Sequence, residues 1–385
     1  MKRLLCVALV VAAAFVSTGC KKKKNYFFSP GAGTGPGAPV FTQISADGGR
    51  VAWYKGPAAH ELIAFDAVTD DVFKNTSIFT MQPDGSALQN VTLTNIDVPA
   101  GFVGQPEWHP DGDHIIFQAE NANASHTVYT HVSFGINNDL WIINKDGSGA
   151  EKIWETPLHH GALHPHFNDN GTILIWSERI ATGVQLFPLW LTPGGENPWA
   201  GWQIHIADYD GNASGTAKLT NHRTIFGAGL PEDRGGFETH GFVDGDTIIF
   251  SRTLDGQAYV DDVFTSKLDG SGLTNLTNSP ATWDEHGLYS PSGATLAFNS
   301  SRFDASWVAP SSNASTLKLE LYLQKGADII KLTDFNGAAP AGVRYLTSDF
   351  EWDRTGSRLV LQAAPVDSSG ALPVEIWVVS FPSPQ

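Results

Sequence analysis

Four histidines stand where a metal ion could be held: His164 and His166 in HHGALHPHF, His240 in ETHGF and His286 in DEHGLYS. In an extended strand alternate side chains share a face, so the His-x-His pair presents both rings on one side. The same positions in related segments carry Gln105 and Glu107, and Asp349 and Glu351. Imidazoles mixed with carboxylates suit a first-row divalent ion, zinc or manganese. The competing account is that the rings hydrogen-bond one another and trapped water, closing a hole without metal. His126 and His131 fall in a loop and receive no role. The Asp-Gly pairs do not follow the EF-hand calcium pattern and read as turns.

These residues need a scaffold that brings distant segments together, and the chain supplies one by repetition. WHPDGDHIIF (Trp108 to Phe117) combines a strand end, an Asp-Gly turn and a new apolar strand, a hairpin signal. The unit recurs as ISADGGRVAW from Ile44, FNDNGTILIW from Phe167, FVDGDTIIF from Phe242, YSPSGATLAF from Tyr289 and WDRTGSRLVL from Trp352. A second hairpin follows each, as in LWIINKDGSGAEKIW (Leu140 to Trp154) and VFTSKLDGSGLTNLT (Val263 to Thr277). Two hairpins per repeat make four antiparallel strands, A to D. Six such repeats predict an all-β fold, a six-bladed β-propeller over residues 40–385, closed radially so that few edges remain. The sixth repeat ends at IWVVSFPSPQ without an outer strand, and NYFFS (residues 25–29) is expected to supply it.

Strand direction sorts the connections. The A–B and C–D turns share one face and are tight; the other face receives the long loops 54–76, 118–138, 177–203, 223–238, 299–320 and 335–347. Long loops on a rigid scaffold commonly bind. The 183–202 insertion carries Trp190, Trp199 and Trp202, which with Asp349 and Glu351 form the expected binding face. The alternative is that the tryptophans cap the rim of the core.

Formal charge is −16 over 385 residues, which argues against nucleic acid as a partner. Lys2-Arg3 precede an apolar run from Leu4 to Val16, too short to span a bilayer, and small residues lead to Cys20. Residues 1–19 read as a signal peptide. The small residue before Cys20 resembles the lipobox of bacterial lipoproteins, which implies lipid attachment at Cys20. Residues 20–39 then form a Lys-rich tether (Lys21 to Lys24, against anionic head groups) and a Gly/Pro linker. Lys21 stands where enterobacterial lipoproteins retained in the inner membrane carry aspartate. That resemblance implies the outer membrane, facing the periplasm or the cell surface.

The pairing of an SPDG-like turn and apolar strand with an apolar strand, DGS turn and LT is similar to TolB-like propeller repeats. The likeness spans roughly residues 40–381, without the α/β domain that precedes the propeller in TolB itself. No GxSxG motif of a propeller-bearing peptidase is present. The His-x-His pair with histidines from other blades resembles the manganese site of oligogalacturonate lyases, also propellers. The leading expectation is a lipid-anchored, non-catalytic scaffold binding an envelope protein or glycan. The alternative is a metal-dependent polysaccharide lyase or hydrolase with histidines at the channel mouth.

Overall fold

A computed structural model describes residues 31, 37–56, 61–70, 74–127, 130–180, 201–227, 236–253, 260–308 and 314–385. Cys20, the signal peptide, NYFFS, Trp190 and Trp199 lie outside the described residues. Six antiparallel sheets surround one axis, five of them ordered from inner to outer strand as the chain runs and the sixth completed by the first strand. Blade one holds β2 (Val51–Trp53), β3 (Ile63–Val68), β4 (Thr76–Met81) and β5 (Gln89–Asn90). Blade two holds β6 (Val103–Trp108), β7 (His114–Glu120), β8 (Asn138–Asn144) and β9 (Glu151–Trp154). Blade three follows with β10 (Gly161–Phe167), β11 (Ile173–Arg179), β12 (Trp202–Tyr209) and β13 (Leu219–Phe226). Blade four is β14 (Phe237–Phe242), β15 (Thr247–Thr253), β16 (Asp261–Lys267) and β17 (Thr274–Asn275). Blade five is β18 (Asp284–Tyr289), β19 (Leu296–Ser300), β20 (Glu320–Lys325) and β21 (Asp328–Lys331). Blade six contains β22 (Arg344–Trp352), β23 (Arg358–Asp367), the short β24 (Gly370–Ala371) and β25 (Glu375–Ser380), and takes β1 (Val40–Ser45) as its outer strand.

The sequence explains the packing. Second strands such as Ile115-Ile116-Phe117 and Leu174-Ile175-Trp176 are apolar at consecutive positions because neighbouring blades cover both faces. Trp53, Trp176 and Trp352 are buried between blades, each removing a large apolar area from water. The A–B turns place Gly112, Gly171, Gly293 and Gly356 at φ near +70°, a conformation that glycine adopts without penalty.

Two expectations need correction. The outer position of blade six beside β25 is taken by Val40–Ser45, with Phe41 opposite Val379, so NYFFS is not the strand that closes the ring there. The Ile44 copy of the hairpin is therefore not a hairpin: its first half belongs to blade six and Val51–Trp53 is the inner strand of blade one. The supposed 54–76 loop then contains β3, which pairs with β2 and β4.

Candidate metal centre on the propeller axis

The inner strands carry a shared irregularity that sets the site. In five of the six, register slips: between Gly104 and Glu107, Leu163 and His166, Thr239 and Gly241, Glu285 and Leu288, and Thr347 and Phe350. Such bulges re-aim side chains. Gln105, His164 and His286 lie there at φ of +51°, +49° and +50°. Each costs roughly 1 kcal/mol in a non-glycine residue. Pro106 and Pro165, which lack an N–H for the ladder, follow two of them.

The bulges bring four blades to one point. His164 Nε2 lies 2.5 Å from Glu238 Oε1. His286 Nε2 lies 3.7 Å from the same oxygen and 3.6 Å from Asp349 Oδ1. The ring centroids of His164 and His286 are 5.3 Å apart, and those of His240 and His286 4.4 Å. Ligand atoms of His164, His286 and Asp349 lie within 4.8 Å of one another, as do those of Glu238, His240 and His286. His240 Nε2 is 2.7 Å from Ser251 Oγ, while its Nδ1 and both ring nitrogens of His286 are buried without a hydrogen bond.

Of the residues expected from sequence, His164, His240, His286 and Asp349 are brought together. His166 stands apart, its Nδ1 3.3 Å from Glu107 Oε2, and Glu351 pairs with Lys55 Nζ at 2.5 Å. Glu238 was missed, although it lies two positions before His240 and so on the same face of an extended strand.

Charge is concentrated here. Burial opposes the proton on His286, but Glu238, Asp349 and Glu285 overcome it and push its pKa up to about 10. Burial works against ionised Asp349 too, yet the His286 cation holds its carboxyl well below the usual range. His164 and His240 are lowered, chiefly by burial. Burial lifts Glu285 to about 7, with Glu238 and Asp349 adding to the effect.

Over this floor opens a cavity of about 80 Å³. Trp202, Phe237, Trp283, Leu317 and Leu319 line its apolar wall, and Glu285 and Asp261 add carboxyls. Trp202 is 3% exposed, so it walls the cavity rather than standing free on the surface.

No protein-family model and no curated protein matches the chain. Its own strand pairing defines the class, a six-bladed β-propeller. Among solved structures it is similar to an oligogalacturonate lyase in complex with manganese, with 11% identity over 95% of this chain and 98% of that one, at a TM-score of 0.49. A second oligogalacturonate lyase, from Vibrio parahaemolyticus, gives 11% identity over 89% and 94%, at 0.47. A TolB-type protein from Agrobacterium tumefaciens gives 14% over 77% and 94%, at 0.44. Likenesses at this level carry no argument about function.

Proposed function

We propose that this is a cell-envelope binding protein whose axial pocket takes a divalent cation and, above it, a small polar ligand such as the end of a glycan. One observation carries the reading: the contact of His164 with Glu238. His164 N donates to Gln105 Oε1 at 2.9 Å, which orients the amide so that Gln105 Nε2, 3.1 Å away, points its hydrogens at His164 Nε2. That nitrogen is then a lone pair, and it faces an anionic oxygen. Two such atoms in a buried site need a positive charge between or beside them. Without an ion, protonated His286 supplies it. Manganese or zinc would be held by His164, Glu238, His286 and Asp349, a mixed imidazole–carboxylate set that suits either. The apolar wall and the few polar groups of the cavity fit a small-ligand site.

Equilibrium dialysis of the tag-free protein with Mn²⁺ and Zn²⁺ tests this. A bound ion is expected that Glu238→Gln and Asp349→Asn each release. An ion count unchanged in both variants refutes it. Attachment at the envelope is part of the proposal and has its own test: Cys20→Ser is expected to move the protein from membranes to the soluble fraction.

A second reading, a metal-dependent polysaccharide lyase or hydrolase, is favoured by Glu285 and Asp261, carboxyls in the cavity that the ion does not require. Among the described residues Arg50 is the only arginine lining that cavity, which disfavours a polyanionic substrate. Turnover of acidic oligosaccharides by the ion-loaded protein, abolished by Glu285→Gln, would establish this reading over the first.

A further inference from the structure

A second cluster of donors lies in blade three, away from the axis. Glu178 sits on β11, His205 on β12 and His222 on β13, with His160 just before β10. His205 is on the third strand of its blade, about 10 Å from the inner one at ordinary strand spacing. Glu178 Oε2 lies 3.5 Å from His205 Nδ1, and Glu178 Oε1 lies 3.7 Å from His160 Nδ1. His205 Nδ1 and His222 Nε2 are 2.7 Å apart.

Tautomers can be read from the surrounding bonds. Gln203 Nε2 donates to Gly227 O at 2.9 Å, which turns Gln203 Oε1 toward His205 Nε2 at 3.2 Å. An amide oxygen accepts only, so His205 Nε2 carries the hydrogen and, in the neutral ring, Nδ1 is a lone pair. That lone pair points inward, at Glu178 and His222. A hydrogen donated by His222 Nε2 would satisfy His205, but it leaves His160 Nδ1, buried and without a hydrogen bond, unexplained. Glu178 Oε2 meanwhile accepts indole hydrogens from Trp154 at 2.8 Å and Trp176 at 2.9 Å. A carboxylate oriented by two fixed donors is the outer arrangement that metal ligands commonly have.

We propose that His160, Glu178, His205 and His222 bind a zinc ion, a closed structural site joining the strands of blade three beside Trp154 of blade two. Three imidazoles and one carboxylate give the four ligands of a tetrahedral site. Ligand atoms about 2.0–2.2 Å from zinc stand roughly 3.4 Å from one another. Ligand atoms of Glu178, His205 and His222 lie within 4.8 Å of one another, and the separations of 2.7 and 3.5 Å among them are within about an ångström of that value. His160 Nδ1, 3.7 Å from the other carboxylate oxygen, completes the set by turning toward them. His222, exposed on the outer strand, gives the ion a way in.

The test uses the full protein stripped with chelator, then loaded with Zn²⁺ or with Co²⁺ as a spectroscopic substitute. Wild type is expected to take up an ion that gives the visible band of tetrahedral cobalt and changes tryptophan fluorescence through Trp154 and Trp176. His222→Gln, on an exposed edge, should fold, lose one equivalent and lose the band. Asp349→Asn, which removes only an axial donor, should lose the axial equivalent yet keep the blade-three equivalent and its band, so failure of the axial reading is told apart from failure of this one. If His222→Gln retains the full stoichiometry and the cobalt band, or wild type shows neither, the proposal is overturned.

Discussion

Replacing Asp66 by alanine is expected to cost the fold several kilocalories, because this carboxylate joins blade one to blade two from a buried position. Its Oδ2 accepts Gln105 N at 2.9 Å and lies 3.5 Å from Arg50 Nη1, and both side chains are 5% exposed. Its Oδ1 accepts Arg50 N at 3.3 Å. Gly49 and Gly104 make room for it: a Cβ at either would come within 1.7 Å or 2.5 Å of its oxygens. Breaking a buried ion pair from one side costs about 3–5 kcal/mol, since the remaining charge stays desolvated. With roughly 2.1 cal/mol/K of unfolding entropy per residue, 385 residues give about 0.8 kcal/mol/K. Tm should therefore fall by roughly 4–6 °C on calorimetry. Arg50→Met combined with Asp66→Leu should lose less than Asp66→Ala alone, because no charge is left stranded. A fall of less than about 1 °C for Asp66→Ala, or a double variant worse than the sum of its parts, would refute the argument. The same variant frees Gln105 and so loosens His164; ion affinity at the axis should drop roughly 10- to 100-fold.

Burial, with Arg50 and His126 adding, holds the His131 pKa well below 6.5. Its folded-state pKa is depressed, so its contribution is present above about pH 6.5 and is lost as pH falls toward the folded value. Acid denaturation curves of wild type should be steeper than those of His131→Gln by up to about 1.4 kcal/mol per pH unit below pH 6. Asp261 has the opposite sign: burial, then Glu285, raises its pKa well above 3.8, so its stabilising contribution fades as pH rises. Asp261→Asn should raise Tm at pH 8 and change little at pH 4, and an equal effect at both would refute this. Thr42→Pro, which removes an N–H from the strand facing Val378, should open blade six, seen as early cleavage there in limited proteolysis. Gly104→Ala should destabilise through the same crowding at Asp66, and a neutral Tm would show that the carboxylate can move.

The blades were legible because turn chemistry and apolar runs are local. Asp111-Gly112 and its counterparts mark every second strand correctly except in the first copy. There, ISADGGRVAW has the right anchors at the right spacing, but which partner Val40–Ser45 pairs with is decided by ring closure, a non-local fact. β3 was hidden for a related reason: Asp66 interrupts IAFDAV with a charge, and only Arg50 and Gln105, brought from elsewhere, make that charge acceptable. The axial histidines could be foreseen because repeat register superimposes them. His160, Glu178, His205 and His222 could not, since they occupy four different positions within one blade and share no register.

The axial cluster draws one residue from each of four blades: His164, Glu238, His286 and Asp349. Only a closed ring holds these four at the observed separations, and the ring is closed by β1 lying against β25, near the opposite ends of the described chain. Whatever binds at the centre is thereby linked to a seam at the rim that it never touches. An occupied axis favours the shut ring by mass action, and a strand peeled from blade six weakens the hold at the hub. The site therefore reports on whether its own domain has finished assembling.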